Sequence, residues 1–144
     1  MGPAGPQGPE GAAATSRNAM RYRAGVQTVA PGDALALDIA EIHADGSIST
    51  AGTTGLALAP GQYLLGFVAD AARTDAGELG AVLALNGAPL LYTATSVAAG
   101  EDAAVRLALT SLLTLTASGT VTVLNSSDGE LRYRDPVLTA VRLG

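Results

Sequence analysis

The side chains that most often perform chemistry are few in this chain, and none is placed as catalysis would require. His43 is the only histidine, and there is no cysteine. No serine lies in a Gly-x-Ser-x-Gly sequence, the turn that presents a nucleophilic serine in one large class of hydrolases. The sequence therefore does not indicate the nucleophile and base pair of covalent catalysis, and we expect no enzymatic activity.

Metal binding is the other chemistry to consider, because Asp33, Asp38, Glu41 and Asp45 lie close together in the sequence. Calcium takes several oxygen ligands, but these carboxylates do not form an Asp-x-Asp-x-Asp loop. We interpret them as a solvated surface. His43 would bind a metal only if three chains brought three copies together, and we expect a loop or strand-edge position instead. No metal or cofactor is predicted.

Glycine occupies every third position at the start of the chain, at Gly2, Gly5, Gly8 and Gly11, and proline follows it in three of the four triplets. This is the collagen register, in which three polyproline-II chains wind together and only glycine fits at the axis. The pattern therefore places these glycines on a collagen axis and predicts a homotrimer. A flexible Pro/Gly linker is the alternative, but the unbroken phase favours collagen. We expect the end of a longer stalk.

Composition narrows the class of protein and its surroundings. After the collagen-like segment, the rest of the 144 residues suffices for one domain. The net charge of −5 argues against a nucleic-acid partner. No apolar run approaches the roughly 18 residues of a membrane span. We expect an extracellular location, on a spore or cell surface, with an export signal upstream or an unconventional export route.

From Tyr22 onward, short apolar runs alternate with turn signals, as is typical of an all-β sandwich or barrel. We divide the chain into a collagen-like segment at 1–13, a linker at 14–20 and a head domain at 21–144. The turn signals are Pro31-Gly32, Asp45-Gly46, Pro60-Gly61, Asn86-Gly87, Ala99-Gly100, Ser118-Gly119 and Asp128-Gly129.

Alternation of apolar and polar residues defines the individual strands. It places Tyr63, Leu65 and Phe67 on one face of a strand, which predicts that they lie in the core. A strand at 79–85 precedes Asn86-Gly87, a strong hairpin signal, and residues 90–95 would run back along it.

Three further segments complete the strand prediction. Residues 105–117 alternate as a strand, although alanine and leucine leave a helix over 103–115 open. Residues 120–125 and 137–143 supply two more strands. Residues 71–80 carry two glycines, and we expect a loop there.

Two short motifs carry a family resemblance. Ala-Pro-Gly-Gln-Tyr at 59–63, followed by Leu-Asn-Gly-Ala-Pro at 85–89, resembles a central strand and hairpin of the complement/tumour-necrosis-factor-like jelly roll. Residues 108–123 and 137–143 look like its later strands. With the collagen run, the chain is similar to the C-terminal domain of bacterial collagen-like surface glycoproteins of the exosporium type. The resemblance implies a homotrimeric, all-β jelly-roll sandwich.

The function that this resemblance implies is structural. The head of a surface filament would trimerise, set the register of the collagen chains and nucleate their triple helix by raising their effective concentration. It would also present an adhesive surface to a host surface or a glycan. The alternative is the receptor-binding or carbohydrate-binding tip of a phage tail fibre, which would place the chain on a virion.

A trimer without disulfides needs a largely apolar interface, because obligate interfaces resemble a domain core cut in half. Apolar residues outside the predicted core phase are the candidates for this interface. We expect Arg17, Arg21 and Arg23 outside it, where stalk meets head. The interface candidates are Leu64, Val68, Leu112, Leu124, Leu138 and Ala140.

Overall fold

The computed structural model describes residues 17–144 as a sandwich of two antiparallel β-sheets. The collagen-like segment, with Gly2, Gly5, Gly8 and Gly11, lies outside the described residues. Residues 17–144 contain no helix long and apolar enough to cross a lipid bilayer. The elements are β1 (Asn18–Tyr22), β2 (Val26–Val29), β3 (Ile39–His43), β4 (Ile48–Ala51), β5 (Gly55–Leu58), β6 (Gly61–Ala72), β7 (Gly77–Leu85), β8 (Ala88–Pro89), a 3-10 turn η1 (Leu91–Thr93), β9 (Thr95–Ala99), β10 (Val105–Leu115), β11 (Gly119–Leu124) and β12 (Leu131–Arg142).

The strand order shows long-range pairing in both sheets. The first sheet runs β10-β6-β12-β1-β3, with β2 also beside β12. The second runs β4-β5-β11-β7-β8, with β9 also beside β7. Strands distant in sequence are neighbours and the chain passes repeatedly between the sheets, as in a jelly roll. The prediction of an all-β jelly-roll sandwich is confirmed.

The core lies between the two sheets and contains the predicted face of β6. Tyr63, Leu65 and Phe67 are each at most 1% exposed, which confirms the predicted phase of this strand. Buried hydroxyl groups need partners, and that of Tyr63 donates to Ala59 O at 2.6 Å. The hydroxyl of Tyr133 donates to Gly80 O at 2.6 Å, and burial raises the pKa of this phenol.

The predicted turn at Asn86-Gly87 is confirmed, but the strand predicted to follow it is wrong. Both residues have positive φ, 52° and 84°, as a two-residue type I′ turn requires. The Asn86 side-chain oxygen also accepts the Thr120 N–H at 2.9 Å. Only β8 pairs back with β7. The predicted strand at 90–95 is instead η1 followed by β9. The Leu90 N–H still donates to Leu83 O at 2.8 Å, but the Leu83 N–H donates to the Thr93 hydroxyl at 3.0 Å, and the ladder ends there.

The expected loop at 71–80 is mostly strand. β6 continues to Ala72 and β7 begins at Gly77, which leaves residues 73–76 as the connection. Arg73 fixes this connection, because its largely buried guanidinium donates to Asp128 at 2.9 Å and to Glu78 O at 3.0 Å. Residues 105–115 form β10 rather than the alternative helix.

The predicted linker at 14–20 ends earlier than expected. Asn18–Tyr22 form β1, which pairs with β12 on one side and β3 on the other. Ala19 is buried in the core. The folded domain therefore begins at Asn18, because pairing with two neighbours overrides the weak local signal of a short polar segment.

The fold yields a direct test of the core. Replacing Phe67 with alanine removes a ring that is 1% exposed and leaves a cavity. We expect Phe67→Ala to lower the free energy of unfolding by roughly 3–5 kcal/mol, as measured by denaturant titration. A loss below about 1 kcal/mol would show that the ring does not fill the core.

The Arg73–Asp128 pair predicts a pH dependence. The guanidinium hydrogen bond holds the pKa of Asp128 below its ordinary value. The ion pair therefore stabilises the folded chain above the pKa of Asp128 in the unfolded chain, which is about 3.9. This stabilisation is lost as pH falls through the lower pKa of Asp128 in the folded chain. We expect the difference in unfolding free energy between the natural chain and Asp128→Asn to shrink between about pH 5 and pH 2. A difference that stays constant over this range contradicts the assignment.

Candidate assembly surface

The outer side of the β10-β6-β12-β1-β3 sheet carries large apolar side chains in aligned rows that also contain polar residues, and we call this side the assembly face. Strand pairing sets the rows, because side chains of paired residues point to the same side of a sheet. The first row is Leu112, Leu64, Val141, Asn18 and His43. A second row is Thr110, Gly66, Thr139, Met20 and Glu41, and a third is Ala108, Val68, Val137, Tyr22 and Ile39.

The assembly face leaves large hydrophobic side chains in contact with water. Leu112 is 55% exposed, and Leu64, Val141 and Ile39 are each about 40% exposed. Single exposed hydrophobic residues are ordinary on a protein surface. Leu112, Leu64 and Val141 are neighbours in one row and form a contiguous patch, and patches of this kind mark sites of association.

The middle row makes the assembly face concave. Gly66 contributes no side chain between Thr110 and Thr139, and a cavity of about 270 Å³ opens there, walled by Val68 and Val137. A second cavity of about 340 Å³ lies between β12, β1 and β3. The face can therefore receive projecting side chains of a partner.

A second apolar surface lies at the edge of the sandwich, and we call it the assembly edge. It consists of η1, β9 and the free side of β10. Strand β10 pairs with β6 over eleven residues without a register shift, and no other strand of residues 17–144 pairs with it. It contains no proline and a single charge, Arg106. Natural proteins normally protect long free edges of this kind, because their unpaired N–H and C=O groups can pair with another strand.

Turn η1 projects two large side chains from the assembly edge. Leu91 is 79% exposed and Tyr92 is 68% exposed. The buried Thr93 anchors the turn, because its hydroxyl donates to Leu90 O at 2.7 Å and accepts the Leu83 N–H at 3.0 Å. Leu91 and Tyr92 are therefore held outward by a fixed backbone, which suits them to contact a partner at low entropic cost.

Three of the predicted interface residues point outward as expected. Leu64, Val68 and Leu112 all lie on the assembly face. Sequence alternation did not identify Val141 or Ile39 on this face, or Leu91 and Tyr92 at the edge. The only sequence signal for the last pair is their position shortly after Pro89, the last residue of β8.

The prediction is wrong for Leu138 and Ala140. Both are fully buried in the core between the sheets, so they have no surface left to bury against a partner. Residues 137–141 carry apolar side chains at both alternating sets of positions, so the phase is decided by a bulge in β12, where the register with β6 shifts between Arg134 and Val137. An inserted residue reverses which side chains face inward along the rest of a strand.

Leu124 is also unavailable to a partner. It lies on the outer side of the second sheet, as its predicted phase implies, but it is only 9% exposed. Ala34 pairs with it in an isolated bridge, and Val82 and Ala84 pack in the same small cluster. The segment around Ala34 covers this side of β11, and local alternation gave no signal of such a cover.

The arginines predicted at the junction between stalk and head separate in the structure. Arg21 is 3% exposed, and its guanidinium donates to Gly55 O at 2.7 Å and to Ala51 O at 3.2 Å across the sandwich. Burial lowers its pKa. It therefore links the two sheets, which corrects the prediction. The carbonyl of Arg17 accepts the Arg142 N–H, and Arg23 is exposed.

The acidic cluster and His43 lie on the surface. His43 is on edge strand β3, as predicted, with its ring nitrogen 3.1 Å from Glu41 Oε1. Asp33, Asp38 and Asp45 are in connecting segments. Among residues 17–144, no group of three or more histidine or carboxylate side chains could hold a metal ion.

Comparison with known proteins places the fold in a recognised class. Neither a protein-family model nor a curated protein sequence matches the chain. The globular domain of zebrafish complement 1qA protein is similar in structure, with a TM-score of 0.62 and 12% identity over 89% of this chain and 98% of that one. Murine APRIL has a TM-score of 0.65 and 15% identity, over 88% of this chain and 100% of that one. The PRD1 vertex protein P5 has a TM-score of 0.50 and 12% identity, over 90% of this chain and 99% of that one.

These likenesses define the class as a C1q/TNF-like jelly roll. The jelly-roll fold that the resemblance of the 59–63 and 85–89 motifs implied is therefore confirmed. At 12–15% identity the likenesses concern the fold alone.

The opposite placements of Leu112 and Leu138 give a paired test. We expect Leu112→Asp to keep the β-sheet circular dichroism spectrum, because its carboxylate would reach solvent. Leu138→Asp should prevent folding, because it would bury an unpaired charge in the core. Equal tolerance of both changes would contradict the β12 bulge and the face assignment that follows from it.

Proposed function

We propose that this chain is the non-enzymatic, homotrimeric head of a collagen-like filament. The head aligns three collagen strands and nucleates their triple helix. The observation that carries the proposal is the unbroken glycine register at residues 2–11. A collagen helix requires three chains, and the domain that follows it carries an uncovered apolar face.

The point at which the stalk enters the domain supports this assignment. The first strand begins at Asn18, in the same row as Leu112, Leu64 and Val141. The chain terminus lies at the same end, where the Gln62 N–H donates to Gly144 O. Three stalk segments would therefore enter beside the apolar row that the trimer buries.

The two apolar surfaces favour a ring of three chains rather than a two-fold dimer. The assembly face and the assembly edge are different surfaces of one chain, with the concave Gly66 region on one and the projecting Leu91 and Tyr92 on the other. A contact between two different surfaces is heterologous and closes into a ring when the rotation allows it. In a trimer, each face would be covered by the edge of the next chain.

Trimerisation would help the collagen triple helix to form, because it raises the effective concentration of the three collagen segments. Three separate chains lose much entropy when they meet in register, and a trimeric head holds their ends together beforehand. The outer end of the head, away from the stalk, would then be free to contact a host surface. We place the filament outside the cell, on a spore or cell surface.

A virion is the second candidate location. The likeness to a phage vertex protein favours it, since the same trimeric head could stand at the tip of a phage fibre. The two candidates share the trimer and the collagen segment. They differ in what the outer end binds, which a glycan array on the isolated head would distinguish.

The mass of the particle in solution tests the proposal. We expect light scattering to give three times the 14.2 kDa chain mass, both for the whole chain and after deletion of residues 1–16. Leu64→Asp should give folded monomers, because it places a carboxylate in the buried face. The matched control Ser49→Asp, on the exposed outer side of the second sheet, should remain a trimer. A monomeric natural chain would overturn the proposal. A trimeric natural chain that becomes monomeric when residues 1–16 are deleted would show that the collagen segment, and not the head, drives assembly.

A further inference from the structure

We propose that a cleft at the stalk-distal end of the first sheet binds the carboxylate of an acidic sugar, of the hexuronic or sialic acid class. This inference rests on the proposed function, because it specifies the ligand that the adhesive end of the head would bind. It is formed within one chain, so its binding chemistry does not depend on the trimer.

The cleft lies on the outer side of the sheet, beyond the three rows of the assembly face. Strand pairing places Arg106, Asp70, Arg134 and Val26 in one row. Ala72 and Arg132 pair in the next row, with Asp102 above them from the β9–β10 connection. The small side chains of Ala72 and Ala104 leave a cavity of about 220 Å³ between these groups. This volume lies below the roughly 300–1,000 Å³ of pockets for drug-sized molecules and suits a single sugar ring.

Two basic residues, Arg132 and Arg134, line this cleft, and a third, Arg106, lies beside Asp70 at its margin. Arg106 is 3.3 Å from Asp70, and Arg132 is 2.9 Å from Asp102. Arg134 is exposed and forms no ion pair or side-chain hydrogen bond with any other residue in 17–144. One guanidinium is therefore open to an anion, in a chain whose net charge is −5.

The backbone beneath Arg134 is held in an unusual conformation. Asp135 has a φ of +49°, which is rare for a residue other than glycine. Its N–H donates to Gly25 O at 2.9 Å, and its carboxylate accepts the Gly25 N–H at 2.7 Å. These two bonds fix the β12 bulge directly after Arg134. Bulges re-aim side chains and are frequent beside binding sites, and backbone strain clusters at such sites.

The charges and the lining select the class of ligand. Among residues 17–144, Arg134 has no carboxylate partner, so the cleft offers one unpaired guanidinium to a monoanion. A guanidinium binds a carboxylate through two parallel hydrogen bonds. Asp70 and Asp102 can accept hydrogen bonds from sugar hydroxyls, and Val26, Ala72 and Ala104 offer an apolar floor to the ring C–H groups.

Glucuronic acid and glucose form a matched pair of probes, because they differ only at the C6 carboxylate. We expect millimolar glucuronic acid to shift the amide NMR signals of Ala72, Ala104 and Arg134 in the natural protein. Glucose at the same concentration should shift these signals at least tenfold less. Arg134→Gln should weaken glucuronic acid binding at least tenfold. Arg17→Gln removes the same charge at the other end of the domain and should leave binding unchanged.

The outcomes separate this inference from the trimer. Equal shifts with glucose, shifts spread over all arginines, or full binding by Arg134→Gln would overturn the carboxylate site. The molar masses of Arg134→Gln and of the natural chain are also measured by light scattering. If Arg134→Gln loses the trimer, then Arg134 pairs with a second copy and the sugar site is overturned. If both remain trimers and only binding falls, the sugar site stands beside the proposed function.

Discussion

The register of β12 against β6 is the constraint on which both outer surfaces depend. The two strands are twelve residues long each and pair along most of their length, and one bulge between Arg134 and Val137 divides that pairing. Before the bulge, Tyr133 points into the core and Arg134 points outward. After it, Leu138 fills the core and Val141 points outward. A slip of one residue would reverse every one of these placements, because side chains alternate along a strand.

This single register separates two chemical surfaces on one sheet. At the end of the sheet that contains Asn18, the apolar patch of Leu112, Leu64 and Val141 lies beside the concave Gly66 row, and the proposed trimer would cover it. At the far end, the row changes to Arg106, Asp70 and Arg134, whose charges suit contact with a polar ligand in water. The proposed filament head would use the first surface for assembly beside the stalk and the second for recognition at the tip. The Asp135–Gly25 hydrogen bonds hold the boundary between the two surfaces in place.

Local sequence signals predicted the parts of the fold that depend on alternation and turn chemistry. The phase of Tyr63, Leu65 and Phe67 and the turn at Asn86-Gly87 follow from residue types within a few positions. The errors about which residues reach the surface have causes distant in the sequence. Leu138 and Ala140 were misplaced because a bulge is decided by pairing with β6. Leu124 was misplaced because the segment around Ala34, far away in the chain, covers it, and the burial of Arg21 depends on carbonyl groups of the opposite sheet.

The contact of one chain's edge with the next chain's face is the central claim, and chemical cross-linking tests it most directly. The chain has no cysteine, so Tyr92→Cys on the edge and Thr139→Cys on the face can be introduced together and treated with a short bismaleimide. The account predicts covalent trimers on a denaturing gel for the double variant, and monomers for either single variant. Dimers from Thr139→Cys alone would indicate that two faces meet around a two-fold axis. That result, or a double variant that stays monomeric, would contradict the account.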